Sequence, residues 1–322
     1  MPNLKTACAC LIVSTAIALS GPVTQGQSKP KRINRIVELL ASDQPVYYAG
    51  SHSGTEGTFE SGKRDAMTTH ADYLNYDMEH APLDFRGLAE YMKGVAAAAP
   101  SRSGHRVPVV VVLPVQGTDE VTVRANSWMF SQALATGVDG ILLAHADTPG
   151  AVRAFVEASR FPVHKQGLDK GLPEGRRGVH GNPMASAIWG VTAAEYVKKA
   201  DVWPLNPEGE LVLGLKIEDK YAVQNVDEIL KVPGITFAEW GPGDNTLSHG
   251  LLDPPAVARN HPTMRAARSK VFAAARANKV FFLEGFNAEN VAEQINDGVR
   301  VGPASREVAE MGRKISKRQL PW

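Results

Sequence analysis

The sequence predicts an α/β protein whose parallel strands close into one (β/α)8, or TIM, barrel, and three observations carry that expectation. Short apolar runs alternate with amphipathic stretches along most of the 322 residues. The runs are near-continuous rather than alternating, as strands covered on both faces are. About eight such units recur, the number that closes a parallel sheet. An open doubly wound sheet would share the alternation. No G-x-G-x-x-G follows the first strand, however, which argues against a dinucleotide-binding version of it.

In chain order the expected strands are Val46 to Ala49, Tyr73 to Tyr76, Val109 to Leu113, Gly140 to Ala144, Leu211 to Ile217, Thr236 to Trp240 and Val280 to Leu283, with Val299 to Val301 a weaker eighth. Helices are expected at Phe85 to Ala99, Ser127 to Thr136, Ala151 to Ala158, Ala193 to Lys199, Val226 to Leu230, Met264 to Asn278 and Ala288 to Asp297, where apolar residues recur at helical spacing. Three stretches read as irregular: Pro100 to Arg106, Lys165 to Gly190, and the WPLNPEG insertion at Trp203 to Gly209. Long loops in a compact fold are usually functional or disordered.

Ahead of the barrel, Lys5 precedes an apolar and small-residue run from Thr6 to Ser20, then a Gly-Pro break and polar residues. That order suits a secretory signal over residues 1–26 with cleavage near Gly26, and the run is too short to span a membrane. Residues 27–45 then form a linker or helix, and 46–322 the barrel. The expected location is exported, periplasmic or secreted, with no stable membrane span after cleavage. Both cysteines, Cys8 and Cys10, fall inside the signal. The mature chain would therefore have no disulfide, thiol nucleophile or thiolate metal site. With 35 Lys+Arg against 34 Asp+Glu and no basic stripe, nothing points to a nucleic-acid partner, and a small molecule is the expected ligand.

The chemistry concentrates where strands end. DMEHAPLD at Asp77 to Asp84 follows the second strand and puts Asp77, Glu79 and His80 within four residues, types that pack poorly but handle protons and orient ligands well. Glu218 closes LVLGLKIE, and Asp244 lies in WGPGD just after the next strand. In a barrel the C-terminal strand ends converge on one face, so these two carboxylates can share a hard divalent cation. Oxygen ligands suit Mg²⁺ or Mn²⁺, with Co²⁺ or Ni²⁺ as substitutes. GRRGVHGN at Gly175 to Asn182 has the composition of an anion-binding loop, with Arg177 its candidate substrate ligand. Gly243 and Trp240 are expected on the substrate side, Trp240 equally as packing at the barrel mouth. His52 and His145 also fall at strand ends, and each suits a structural role as well as a site-facing one.

DMEHAP at Asp77 to Pro82, the arginine before a helix at Arg124, G-x-R-G at Gly175 to Gly178, the Lys-Ile-Glu strand end at Glu218 and GPGD at Gly241 to Asp244 occur in an order that resembles one family. The chain looks like the 4-hydroxy-2-oxoheptanedioate aldolases of the HpcH/HpaI aldolase/citrate lyase family, class II pyruvate aldolases. The resemblance covers about Val46 to Val301. It implies a barrel assembled as homotrimers or homohexamers, a divalent metal on Glu218 and Asp244, and cleavage of a 4-hydroxy-2-oxo acid to pyruvate and an aldehyde through a metal-stabilised enolate. It further implies that His80 and Asp77 handle protons, that Arg124 steadies the keto oxygen, and that Glu79 holds waters or orients His80.

Lys216 stands where the family usually has glutamine, and Asn245-Thr246 where it usually has Leu-Ser. Strand alternation points Lys216 and Glu218 to the same face, so a cation is expected beside the metal seat, paired with a carboxylate there. A strand lysine also suits a Schiff-base aldolase, a chemistry in which the Glu-Asp pair would have no purpose. A Claisen-type lyase and an exported, non-catalytic binder of 2-oxo acids are the competing functions.

Overall fold

The computed structural model describes residues 32–253 and 255–319. The expected signal segment, with Lys5, Cys8 and Cys10, lies outside the described residues. One parallel sheet contains β1 (Val46–Gly50), β2 (Tyr73–Asp77), β3 (Val109–Gln116), β4 (Gly140–Ala144), β5 (Val202–Trp203), β6 (Leu211–Ile217), β7 (Phe237–Trp240), β8 (Phe281–Leu283) and β9 (Val299–Pro303). Neighbours in sequence pair in turn, β9 pairs back onto β1, and β4 pairs with β6. Eight strands therefore close the expected barrel, while β5 pairs only with β6.

Strand β5 was not expected, because two residues are too few to show a period. Within the stretch read as a linker or helix a helix forms at Arg35–Ala41, and unexpected helices lie at Phe59–Thr68, Glu120–Ala125, Asn182–Trp189, Pro242–Ser248 and Arg306–Ile315. Several are announced by caps rather than by apolar stripes. Thr58 and Ser61 form a reciprocal capping box, and the Asp119 side chain accepts from Thr122 N.

Alternation sorts each strand between two cores. On β6, Leu211, Leu213, Leu215 and Ile217 join the layer between barrel and helices, while Val212 joins the barrel interior. On β7, Ala238 and Trp240 face the helices and Phe237 faces inward. Lys216 and Glu239 share the parity of Val212 and Phe237, so both point into the barrel.

The barrel is plugged at the end where its strands begin. Ile36, Val37, Leu39 and Leu40 of the helix Arg35–Ala41 pack with Val46, Tyr73, Val110, Val212, Phe237 and Val301. Asn34 fixes this helix by accepting from Ile36 N and donating to the carbonyls of Asp139 and Glu210, which lead into β4 and β6. Beside the plug, buried Asp72 meets Arg318 at 2.7 Å, Arg35 at 3.4 Å and Arg313 at 3.6 Å. Burial opposes the Asp72 charge, but the three arginines outweigh it and hold its pKa below the ordinary aspartate value. One end of the barrel is thus committed to stability, which leaves the other for chemistry.

Candidate active site

Asp77 is the last residue of β2, faces inward and is buried. Its Oδ2 accepts from Gly54 N at 3.1 Å and its Oδ1 from Glu79 N at 2.9 Å. So fixed, it holds His80 Nδ1 at 3.0 Å from Oδ2. With Nδ1 donating to a carboxylate, the neutral ring is left with Nε2 as its acceptor, and the half-exposed His80 side chain is open to the barrel mouth. Gly50, one strand over, has no room for a side chain: a Cβ there would meet Asn75 O at 2.3 Å.

Lys216 and two glutamates form the centre of the mouth. Lys216 Nζ lies 2.6 Å from Glu79 Oε2 and 3.1 Å from Glu218 Oε2. The lysine thus pairs with two carboxylates where at least one was expected. Glu79 holds this ammonium far more closely than His80, whose Nε2 is 3.9 Å away. Burial works against the Lys216 charge, but Glu218, Glu239 and Glu79 reverse that and raise its pKa above the ordinary lysine value. A Schiff-base lysine must instead lose its proton readily. Burial pushes Glu218 up, with Lys216 opposing. Glu239, half-buried with Oε2 lacking a hydrogen-bond partner, is pushed up to about 8 mainly by burial.

His145 braces the far side of Glu218. Its backbone N–H donates to Glu218 Oε1 at 2.9 Å, and its ring lies 3.7 Å from that oxygen and 3.4 Å from Asp219 Oδ2. The hydrogen bond to Asp219, resisted by burial and aided by Glu218 and Glu79, raises its pKa to about 9. The backbone takes the left-handed conformation, φ +45°, which is uncommon outside glycine and aims both N–H and ring at Glu218. Across the mouth, Tyr48 OH meets His52 Nε2 at 3.2 Å. Glu239, Asp219 and the brace formed by His145 could not be seen in sequence, because their neighbours come from other strands.

The GPGD turn begins against this cluster. A Cβ on Gly241 would lie 2.4 Å from Glu218 Cβ, so glycine is what lets the turn approach. Asn245 is buried and donates to Ile217 O at 2.9 Å, clamping the helix Pro242–Ser248 to the end of β6. This gives the unusual Asn245 a structural reason. Asp244 is exposed in the first turn of that helix and belongs to neither described cluster of potential metal ligands. Gly243 opens onto free space.

Two expected site residues, Arg124 and Arg177, lie elsewhere. Arg124 sits in the outer helical layer, paired with Glu120 at 2.8 Å and with buried Glu157 at 2.8 Å. Sequence proximity to a helix start could not distinguish this outward face from the mouth. Arg177 is no anion ligand in an open loop: it is buried, 4.4 Å over the Phe161 ring, and donates to Tyr196 OH at 2.5 Å. Trp240 packs mainly between barrel and helices, and its edge also borders the cavity beside Glu239.

A divalent ion is compatible with the donors present. Glu79, His145 and Glu218 offer ligand atoms within 4.8 Å of one another, as do Asp77, Glu79 and His80. The carboxylates suit Mg²⁺- or Mn²⁺-type ions and the imidazoles Zn²⁺- or Ni²⁺-type ones, while the Lys216 ammonium and the His145 ring, with its raised pKa, already bring positive charge among them. Beside them lies a cavity of about 750 Å³ reached from Tyr48, His52 and Glu239 and bordered by Arg268, Glu284 and Gln294. It is large enough for a small metabolite. Among the described residues, no helix is long and apolar enough to cross a membrane.

Known proteins resemble this chain in sequence and in fold. A 2-keto-3-deoxy-L-rhamnonate aldolase of Escherichia coli O17:K52:H18 is 29% identical over 188 residues, 58% of this chain and 58% of that relative. The match thus spans under two thirds of the relative's length. A solved structure of an HpcH/HpaI aldolase/citrate lyase family protein from Burkholderia cenocepacia J2315 superposes with TM-score 0.64 at 24% identity, covering 88% of this chain and 97% of that one. An HpcH/HpaI aldolase from Desulfitobacterium hafniense DCB-2 gives TM-score 0.61 at 22% identity, over 87% and 93%. These two show the fold. The family model described as HpcH/HpaI aldolase/citrate lyase matches residues 57–309, and the chain belongs to that family.

Proposed function

We propose that the protein is a metal-dependent carbon–carbon lyase that cleaves a 4-hydroxy-2-oxo acid to pyruvate and an aldehyde. The observation that carries this reading is the convergence of the Asp77–His80 pair and the Glu79–Lys216–Glu218 cluster on the C-terminal face of the barrel. Glu218, with Asp244 or with Glu79 and His145 near it, would hold the ion. When bound, the ion supplies a Lewis acid that draws charge toward the keto oxygen of the substrate.

The chain's own residues handle the proton. Asp77 fixes the His80 ring, and Nε2 takes the proton of the substrate's 4-hydroxyl. As that O–H bond breaks, the C3–C4 bond breaks too, C4 leaves as the aldehyde, and the bond's electron pair remains on C3. Return of that proton from His80 Nε2 to C3 completes pyruvate and restores the neutral ring. Lys216, held charged by its carboxylates, contributes positive potential near the site without forming a bond to substrate.

The preferred ion is proposed to be Mg²⁺ or Mn²⁺, the assembly a homotrimer or homohexamer, and the location exported. The deciding experiment is coupled detection of pyruvate from a 4-hydroxy-2-oxo acid before and after EDTA. Activity lost with EDTA and restored by Mn²⁺ supports the reading, and binding of 2-oxo acids without pyruvate release refutes it. Export is tested by sequencing the N-terminus of the protein from its native host. A start near Gln27 is expected, and a soluble cytoplasmic product beginning at Met1 refutes it.

A further inference from the structure

The Lys216 ammonium stands between Glu79 and Glu218, in contact with both. The same two carboxylates, with His145, form one of the clusters whose donor atoms lie close enough to share a cation. A divalent ion drawn to Glu218 therefore meets a positive charge already on that carboxylate. Like charges at such separations repel strongly in a buried setting, so metal entry requires the ammonium to have somewhere else to go.

The barrel holds a second acceptor for it. Glu239 is the direct partner of Lys216 across the β6–β7 ladder and points inward by the same alternation. Its Oε2 is buried with no hydrogen-bond partner, an unfavourable state for a carboxyl oxygen and one that a mobile donor would relieve. Lysine suits that task, because its ammonium sits on a flexible four-carbon stem with three rotatable donors. Glutamine, the usual residue here in the resembling family, carries no charge to move.

We propose that Lys216 is an internal counter-cation that gives up Glu218 to the divalent ion by swinging onto Glu239. Metal entry then moves the ammonium sideways along the barrel interior, so that the ion and the lysine no longer share the Glu218 carboxylate. The inference rests on the metal-dependent reading above and adds two positioning residues, neither of which ligates the ion.

The test is Mn²⁺ binding without substrate, followed by electron paramagnetic resonance and calorimetry at one fixed pH, on wild type, Lys216→Gln, Glu239→Gln and the double variant. Lys216→Gln should bind Mn²⁺ about tenfold tighter and Glu239→Gln about tenfold weaker, the size of coupling usual for neighbouring charges. In the Lys216→Gln background, Glu239→Gln should change Mn²⁺ affinity by less than about twofold. An equal loss in both backgrounds means Glu239 acts only as a general negative charge, which overturns the relay and leaves the metal reading intact. If neither wild type nor Lys216→Gln binds Mn²⁺, both fall. A crystal structure of the wild-type protein with Mn²⁺ checks the same point without a variant. Nζ against Glu239 supports the relay, and Nζ still bridging Glu79 and Glu218 beside bound Mn²⁺ overturns it.

Discussion

His80 and Arg124 illustrate what single residues disclose. His80→Ala should lower the rate of pyruvate-enolate proton exchange by about two to four orders of magnitude while leaving Mn²⁺ affinity within about twofold, because Asp77 holds the ring by Nδ1 and leaves Nε2 for the substrate. Exchange at the wild-type rate would remove His80 from the proton path. Arg124→Ala should instead leave turnover unchanged and lower stability by about 1 kcal/mol, measured by urea unfolding. The half-exposed arginine shares buried Glu157 with Arg176, which lies 2.6 Å from the same carboxylate. A hundredfold loss of kcat would return Arg124 to the site. The difference between these residues was only half legible in the sequence. DMEHAP is a local motif, and its Asp–His contact spans three positions. The direction of Arg124 depends on how the helix Glu120–Ala125 lies against the helix Pro149–Ser159, which no spacing encodes. Arg177 was misread for a related reason: a glycine-flanked arginine reads as an open loop until Phe161 and Tyr196 fold over it.

Elements were legible in proportion to their length and burial. β4 and β6 fall at the expected bounds, since continuous apolar runs admit few other conformations. The plug helix Arg35–Ala41 was anticipated only as a linker or helix, because its apolar face is matched by the barrel interior and not by its own neighbours in sequence. Its contribution is measurable. Leu39 is fully buried, and Leu39→Ala should cost about 2–5 kcal/mol in chemical denaturation. A loss under 0.5 kcal/mol would mean that the barrel closes equally well without its plug. The short helix Pro242–Ser248 was not expected, because GPGD opens it with glycine and proline in place of an apolar stripe. Asn245 shows why a helix forms there: its amide grips Ile217 O and ties the helix start to the strand that carries Lys216 and Glu218.

For the whole molecule, the plug and the proposed site occupy opposite ends of one barrel. Asp72 is the keystone of the closed end, and its pKa is depressed in the folded protein. A carboxylate of this kind contributes stability that is present above its unfolded pKa, about 3.9, and is lost as pH falls through the lower folded value. Arg318→Ala should therefore lower stability by about 3 kcal/mol at pH 7, with the gap to wild type narrowing below about pH 4. A pH-independent difference would show that Arg318 acts by packing alone. The sequence could not reveal this keystone, because Asp72 and Arg318 are 246 residues apart. That separation also sets a schedule. During synthesis Arg35 and Asp72 emerge early, whereas Arg313 and Arg318 leave the ribosome only after every strand of the barrel has been translated. Until then the Asp72 carboxylate faces an apolar floor with a single arginine to balance it, so a partly made barrel gains little from closing around it. The β1–β9 seam should consequently seal only after translation is finished, so the barrel's last closure belongs to the completed chain and not to the growing one.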